Sequence, residues 1–326
     1  MRRPLLTTAL ITTAGIIAFA IFTDRRADLR EAAIEARYPP EGDVIQVDGR
    51  NVHVIVRGTG PDLVLIHGAG SNARDMANAL ADRLQDRYRL FIVDRPGHGW
   101  TDRLGANFEG PTNTRAESPT EQARMLSKAV QQLGAENPIV LGHSFGGAVA
   151  MAWAVEEPHA ATVIVSGVTL PWPGSVDITY RILGSAAGSA IVAPLASAFI
   201  TETYARNAAN GTFTPQDAPG TYYSSAGIPL AIRVVSLRAT NQQVNTLRPY
   251  IVEQSKRYDE ITTPLEIIHG TADKTVYAEI HAEPLAARMN NVHFTPLEGL
   301  GHMPHYVVPQ DVTAAIDRAA SRAGLR

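Results

Sequence analysis

Pro138-Ile139-Val140-Leu141-Gly142-His143-Ser144-Phe145-Gly146-Gly147-Ala148-Val149 is the stretch on which the reading of the whole chain turns. An apolar run ends at Gly142, and a helix-forming run, 145–156, begins after Ser144. A strand-to-helix reversal in so few residues forces the central serine into a strained backbone conformation. Glycines two before and two after it remove the Cβ atoms that would collide. The strain lifts the hydroxyl above the sheet, and the N–H of Phe145 falls at a helix N-terminus, where partial positive charge favours an oxyanion.

Working outward, short β-branched runs recur at 44–47, 52–57, 63–67, 90–94, 139–142, 162–166, 265–269 and 292–297. The middle ones, such as Leu63-Val64-Leu65-Ile66, are continuously apolar, which suits strands buried on both faces. Helix-period segments alternate with them at 73–86, 120–133, 145–156, 278–290 and 310–322. The alternation predicts an α/β fold: a mostly parallel eight-stranded sheet with helices on both faces. Asp48-Gly49 between the first two runs is a hairpin signal. Residues 170–255 do not alternate, and read as a helical cap inserted between strands six and seven. The core is then expected over 38–169 and 256–326.

A serine hydroxyl needs a base, and the base needs an acid to orient it. In this kind of fold the chain order is serine, acid, histidine. His302, in Leu300-Gly301-His302-Met303-Pro304, follows the last strand, and His305 is its near rival. Asp273 stands in the turn after strand seven, 29 residues before His302. Asp94 and Glu298 are alternatives that do not follow the serine in a loop at the correct strand end. A second oxyanion donor is expected from His67-Gly68-Ala69-Gly70, through the N–H of Ala69. Asp94-Arg95-Pro96-Gly97-His98-Gly99 reads as a structural turn.

These motifs, in this order, resemble the α/β-hydrolase superfamily in its small capped, esterase- or lipase-like branch, over roughly 44–322 outside the cap. The resemblance implies a triad of Ser144, Asp273 and His302, with Ala69 and Phe145 as oxyanion donors, and no metal or cofactor. Members with an aspartate nucleophile are disfavoured by Ser144. The expected activity is hydrolysis of a carboxylic ester of an apolar or aromatic substrate. The alternatives are hydrolysis of a carbon–carbon bond in a diketone-like metabolite, using Arg181, Arg233 or Arg238, and non-catalytic ligand binding.

The 326 residues carry a net charge of −3, which gives no electrostatic preference for nucleic acid. There is no cysteine, so thiolate nucleophiles, thiolate metal sites and disulfides are excluded. Residues 1–37 stand apart. Arg2 and Arg3 precede twenty uncharged residues, 4–23, long enough at 1.5 Å per residue to span a bilayer core of about 30 Å. Two readings stay open: a single membrane anchor, or a signal peptide for export with Ala18-Phe19-Ala20 as its cleavage signal. Basic residues flank both sides, so the side of the membrane is unassigned. A charged helix over 24–37 is expected to end at Tyr38-Pro39-Pro40. The uncharged stretch 182–200 is read as a helix over a cleft, with a second span as the alternative.

Overall fold

The computed structural model describes residues 2–326. Among the described residues there are eight strands: β1 Asp43–Val47, β2 Arg50–Arg57, β3 Asp62–Ile66, β4 Arg89–Val93, β5 Ile139–His143, β6 Ala161–Val165, β7 Leu265–Gly270 and β8 Val292–Leu297. They form one sheet in the order β1-β2-β4-β3-β5-β6-β7-β8. The β1–β2 and β2–β4 pairs are antiparallel, and the other five are parallel. The first turn has two residues, with Val47 opposite Arg50 and φ of 49° at Asp48 and 78° at Gly49. That is the turn hand that matches strand twist.

The central strands are buried throughout because both faces are covered, and their side chains alternate between two cores. Val64, Ile66 and Val140 pack with Leu126, Val130, Val149 and Trp153 from the helices Pro119–Gln132 and Phe145–Glu156. Leu63, Leu65, Ile139 and Leu141 point the other way, to Leu80, Leu84, Val312 and Ile316. The helix Pro119–Gln132 starts on a capping box between Ser118 and Glu121.

Two expected helices are less regular than their periodicity suggests. The segment from Ala73 widens to a π-type turn over Ala77–Ala81 before ending at Leu84. The 278–290 segment is two helices, Ala278–His281 and Glu283–Arg288, because Pro284 supplies no N–H to continue the first.

Between β6 and β7 no strand occurs among the described residues. The chain there forms the helices Ile178–Leu183, Ala193–Phe199, Glu202–Gly211, Tyr222–Ser225 and the long Val234–Gln254. The uncharged stretch 182–200 is interrupted after Leu183, so it holds no continuous helix of spanning length.

The apolar and charged parts of the N-terminus form one helix, Arg2–Arg37, where a separate short second helix was expected. It ends at Arg37, before Pro39 and Pro40. By length and composition it can cross a membrane, a test that a signal sequence also passes, and its apolar window is almost wholly exposed. Its charged half docks on the β6–β7 helices. Glu31 accepts the Val234 N–H at 2.7 Å, and Glu35 pairs with Arg233 at 2.8 Å. Arg26 and Arg30 donate to the carbonyls of Ala198 and Ser197, both at 2.9 Å.

Candidate active site

Ser144 sits between β5 and the helix Phe145–Glu156 with φ 53° and ψ −119°. A non-glycine residue at positive φ is strained, and persists only where its surroundings over-determine it. The neighbouring glycines do that. A Cβ on Gly142 would lie 2.1 Å from the Gly146 carbonyl oxygen, and one on Gly146 would lie 2.4 Å from that of Ile66. The backbone is pinned as well. Ser144 N–H donates to Val165 O at 3.1 Å, and its carbonyl accepts from Gly147 at 2.9 Å and Val168 at 3.0 Å.

Asp273 lies in the loop after β7 and His302 in the loop after β8. His302 Nδ1 donates to Asp273 Oδ2 at 2.6 Å. The other carboxylate oxygen accepts the N–H groups of Thr275 at 2.8 Å and Val276 at 3.0 Å. Burial works to raise the Asp273 pKa. Hydrogen bonds from His269 and His302, then the His302 charge, outweigh it and hold the carboxyl well below its ordinary range. His269 stands one helical turn's spacing earlier in sequence, its Nε2 3.4 Å from Asp273 Oδ2.

Both loops reach a cavity of about 750 Å³ whose wall includes Ser144, Phe145, Ala69 and His302. Gly68 fits tightly beside the serine, since a Cβ there would lie 3.0 Å from Ser144 Cβ. Among the described residues, neither the Ala69 nor the Phe145 N–H donates a hydrogen bond, so both are free to receive an acceptor. Trp172 and Val176, from the loop after β6, and Tyr180, Tyr222, Ile228 and Leu247, from the helical segments beyond it, close the cavity. The structure thus brings together all five residues singled out from the sequence.

The other singled-out groups are occupied elsewhere. Asp94 accepts from His53 Nδ1 at 2.6 Å, Ala73 N at 2.6 Å and Trp100 N at 2.9 Å. Arg95 donates to the carbonyls of His67 and Gly68, both at 3.0 Å, and so holds the loop that carries Ala69. His98 meets Thr240 at 3.0 Å. Glu298 is exposed beyond β8. His305 is fully buried, and burial followed by the His302 charge lowers it to about 3. Two further histidines are engaged as well: His281 accepts the Thr169 N–H, and His293 faces Glu266 at 3.0 Å.

Two groups escaped the sequence reading. His143, the residue before the serine, donates from Nε2 to the His302 carbonyl at 3.0 Å. It thereby ties the histidine loop to the elbow. Its position inside the motif was the available signal. Asp75 also borders the cavity. It accepts from Ser71 Oγ at 2.6 Å, and its second oxygen has no partner among the described residues. Burial pushes its pKa up to about 6, against the pull of that hydrogen bond. Ser71 and Asp75 stand four apart, which was the only hint of the pair.

A sequence profile described as the alpha/beta hydrolase family matches residues 63–316. An uncharacterized protein of Mycobacterium tuberculosis is 28% identical, over 93% of this chain and 91% of its own length. Among solved structures, an alpha/beta hydrolase fold protein from Burkholderia ambifaria superposes with a TM-score of 0.66 at 22% identity, covering 84% of this chain and 96% of that one. A membrane phospholipase A described as a bacterial virulence factor gives 0.64 at 18% identity, covering 98% of this chain and 99% of that one.

Proposed function

The chain belongs to the alpha/beta hydrolase family, a family of hydrolases of small molecules, and on that footing we propose that it is a serine carboxylesterase of lipophilic esters, held at a membrane by its N-terminal helix. One observation carries the reading. A serine at positive φ borders the same cavity as a histidine whose Nδ1 is bound at 2.6 Å to a low-pKa carboxylate.

With the Nδ1 proton given to Asp273, His302 keeps Nε2 as its base. It takes the Ser144 proton as the hydroxyl oxygen attacks the ester carbonyl. The N–H groups of Ala69 and Phe145 receive the oxyanion. His302 then returns the proton to the leaving alkoxide, and the acyl group stays on Ser144. Water, deprotonated by the same nitrogen, releases the acid and restores the serine. Asp273 stays ionised throughout and stabilises the imidazolium.

The cavity wall supports an apolar or aromatic substrate. Its β6–β7 side is mostly aromatic and aliphatic, with Ser175, Asp177 and Thr212 as its polar members, and among the described residues the lining contains Lys274 but no arginine. The arginines that a carboxylate-holding pocket would recruit are committed elsewhere. Arg233 pairs with Glu35, Arg238 donates to Ser189 O at 3.0 Å, and Arg181 is exposed. The fold likeness to the membrane phospholipase A extends through the N-terminal helix and suits a lipid ester as substrate.

Hydrolysis of p-nitrophenyl esters of increasing acyl length tests this reading, with Ser144→Ala as control. We expect turnover that rises with acyl length until the cavity is filled, and a loss in kcat of about 10⁶ in the mutant. Turnover that survives the mutation, or none in the folded wild type with any ester, contradicts it.

A further inference from the structure

Where the N-terminal helix meets the β6–β7 helices, the two are locked at a depth that can be read off the sequence. The apolar run of Arg2–Arg37 ends at Thr23. Phe199, the last residue of the helix Ala193–Phe199, stacks on Phe19 with ring centroids 6.5 Å apart and planes within 4°. It also contacts the Phe22 ring at 6.3 Å. Phe19 lies four residues inside the apolar run, about 6 Å along the helix axis from its end. Ser197 is held higher up, by Arg30 and Glu31. The helix Ala193–Phe199 therefore points its C-terminal tip down the N-terminal helix, toward the apolar segment.

We propose that the Phe199–Ile200–Thr201 tip is a second membrane contact, immersed in the interfacial zone of the bilayer that the N-terminal helix crosses. The inference rests on the reading of that helix as a membrane span. Three features fit a phospholipid bilayer as the occupant. Phe199 is 41% exposed although apolar and aromatic, and Phe22 and Tyr204 beside this junction are exposed too. Aromatic rings concentrate at such interfaces. Two carbonyls at the helix end are capped, Ala198 O by Arg26 and Ser197 O by Arg30, which lowers the cost of taking this end out of water. Finally, a groove of about 560 Å³ opens at this level between Phe22, Arg25, Leu29, Arg30 and Phe199. Its arginines stand within two turns of the apolar segment, at the height of lipid phosphates, on stems long enough to reach them.

The consequence is mechanical. The β6–β7 helices that close the cavity are gripped at two points, by the anchor helix and by the lipid itself. They cannot swing freely as a lid, and the catalytic cavity is held at a fixed height over the bilayer.

The chain has no cysteine, so single-cysteine labelling tests the depth without disturbing other residues. The full chain carrying Phe199→Cys and an environment-sensitive fluorophore is placed in vesicles of phosphatidylcholine and phosphatidylglycerol. A second label goes at Glu136→Cys, whose backbone bonds Asp62 at the opposite end of the sheet from Ser144. Near-UV circular dichroism of both variants checks the fold. We expect the label at 199 to lose most of its emission to nitroxide-bearing lipids and to resist aqueous iodide, with the reverse at 136. Quenching at 199 by iodide alone, in protein that resists carbonate extraction, overturns the immersion and leaves the anchor standing. Release by carbonate overturns both.

Discussion

Among the described residues, two buried histidine–aspartate pairs share one geometry, Nδ1 to Oδ2. His302 meets Asp273 and His53 meets Asp94, each through Nδ1 and Oδ2 at 2.6 Å. In both, burial raises the carboxyl while hydrogen bonds from histidine outweigh it, so both carboxyls lie below their ordinary range. What differs is the far side of each ring. His53 Nε2 is consumed by the Glu41 carbonyl at 2.5 Å, and Asp94 spends its remaining capacity on Ala73 and Trp100. His302 Nε2 has no hydrogen-bond partner among the described residues, and its ring borders a cavity shared with a strained serine. An aspartate-oriented imidazole is thus ordinary structural material. It becomes a candidate base only where its second nitrogen is left open beside a nucleophile.

The comparison breaks if the two aspartates respond alike to mutation. Asp273→Asn should cost about 10⁴ in kcat by leaving the imidazole in the wrong tautomer, alongside a loss of stability, because Asp273 is buried and paired as Asp94 is. Steady-state kinetics and a thermal melt on the same sample check it. Asp94→Asn should cost stability alone, roughly 3–5 kcal/mol, as expected when one partner of a buried pair is lost. The molecules that remain folded should turn over nearly normally. This loss has a pH signature. His53 is held above its ordinary 6.5, because Asp94 outweighs the lowering effect of burial, so its share is complete below pH 6.5 and fades as pH rises through the folded value. Asp94 is held below its ordinary 3.8, so its share is present above that pH and fades as pH falls through the folded value. Denaturant titrations of wild type and mutant should therefore differ most between about pH 4 and 6.5. A difference that is flat with pH would refute the ionic reading of this pair.

A smaller effect sharpens the contrast. Asp75 is a third buried aspartate, but with no histidine partner, and burial raises it from 3.8 to about 6. Ionising it opposes folding, at a cost on the order of 3 kcal/mol that is absent below about pH 4 and complete above pH 6. Asp75→Asn should accordingly gain stability relative to wild type as pH rises from 4 to 7. Equal stability differences at both pH values would show that the carboxyl is not strained by its surroundings.

The sheet and the elbow were legible because they rest on local signals. Continuous apolar runs marked the buried strands, and Gly142, Gly146 and Gly147 marked a reversal that leaves no room for side chains. Ser144, Asp273 and His302 could be named because chain order and loop position narrow the choice. What stayed hidden depends on residues far apart in sequence. His143 bonds the carbonyl of a residue 159 positions away, and Glu31 caps a helix that begins at Val234. The Asp94 network could be read as structural, but nothing in the sequence showed that it copies the geometry at Asp273.

The central claim is that Ser144 alone, among serines, is made nucleophilic by His302 and Asp273. The most direct test is labelling by a fluorophosphonate, with the modified peptide located by mass spectrometry in wild type, Asp273→Asn and Asp94→Asn. The account predicts one adduct, on Ser144, formed in wild type and in folded Asp94→Asn, and sharply slowed in Asp273→Asn. An adduct on another serine, or equal labelling rates in the two aspartate mutants, would contradict it.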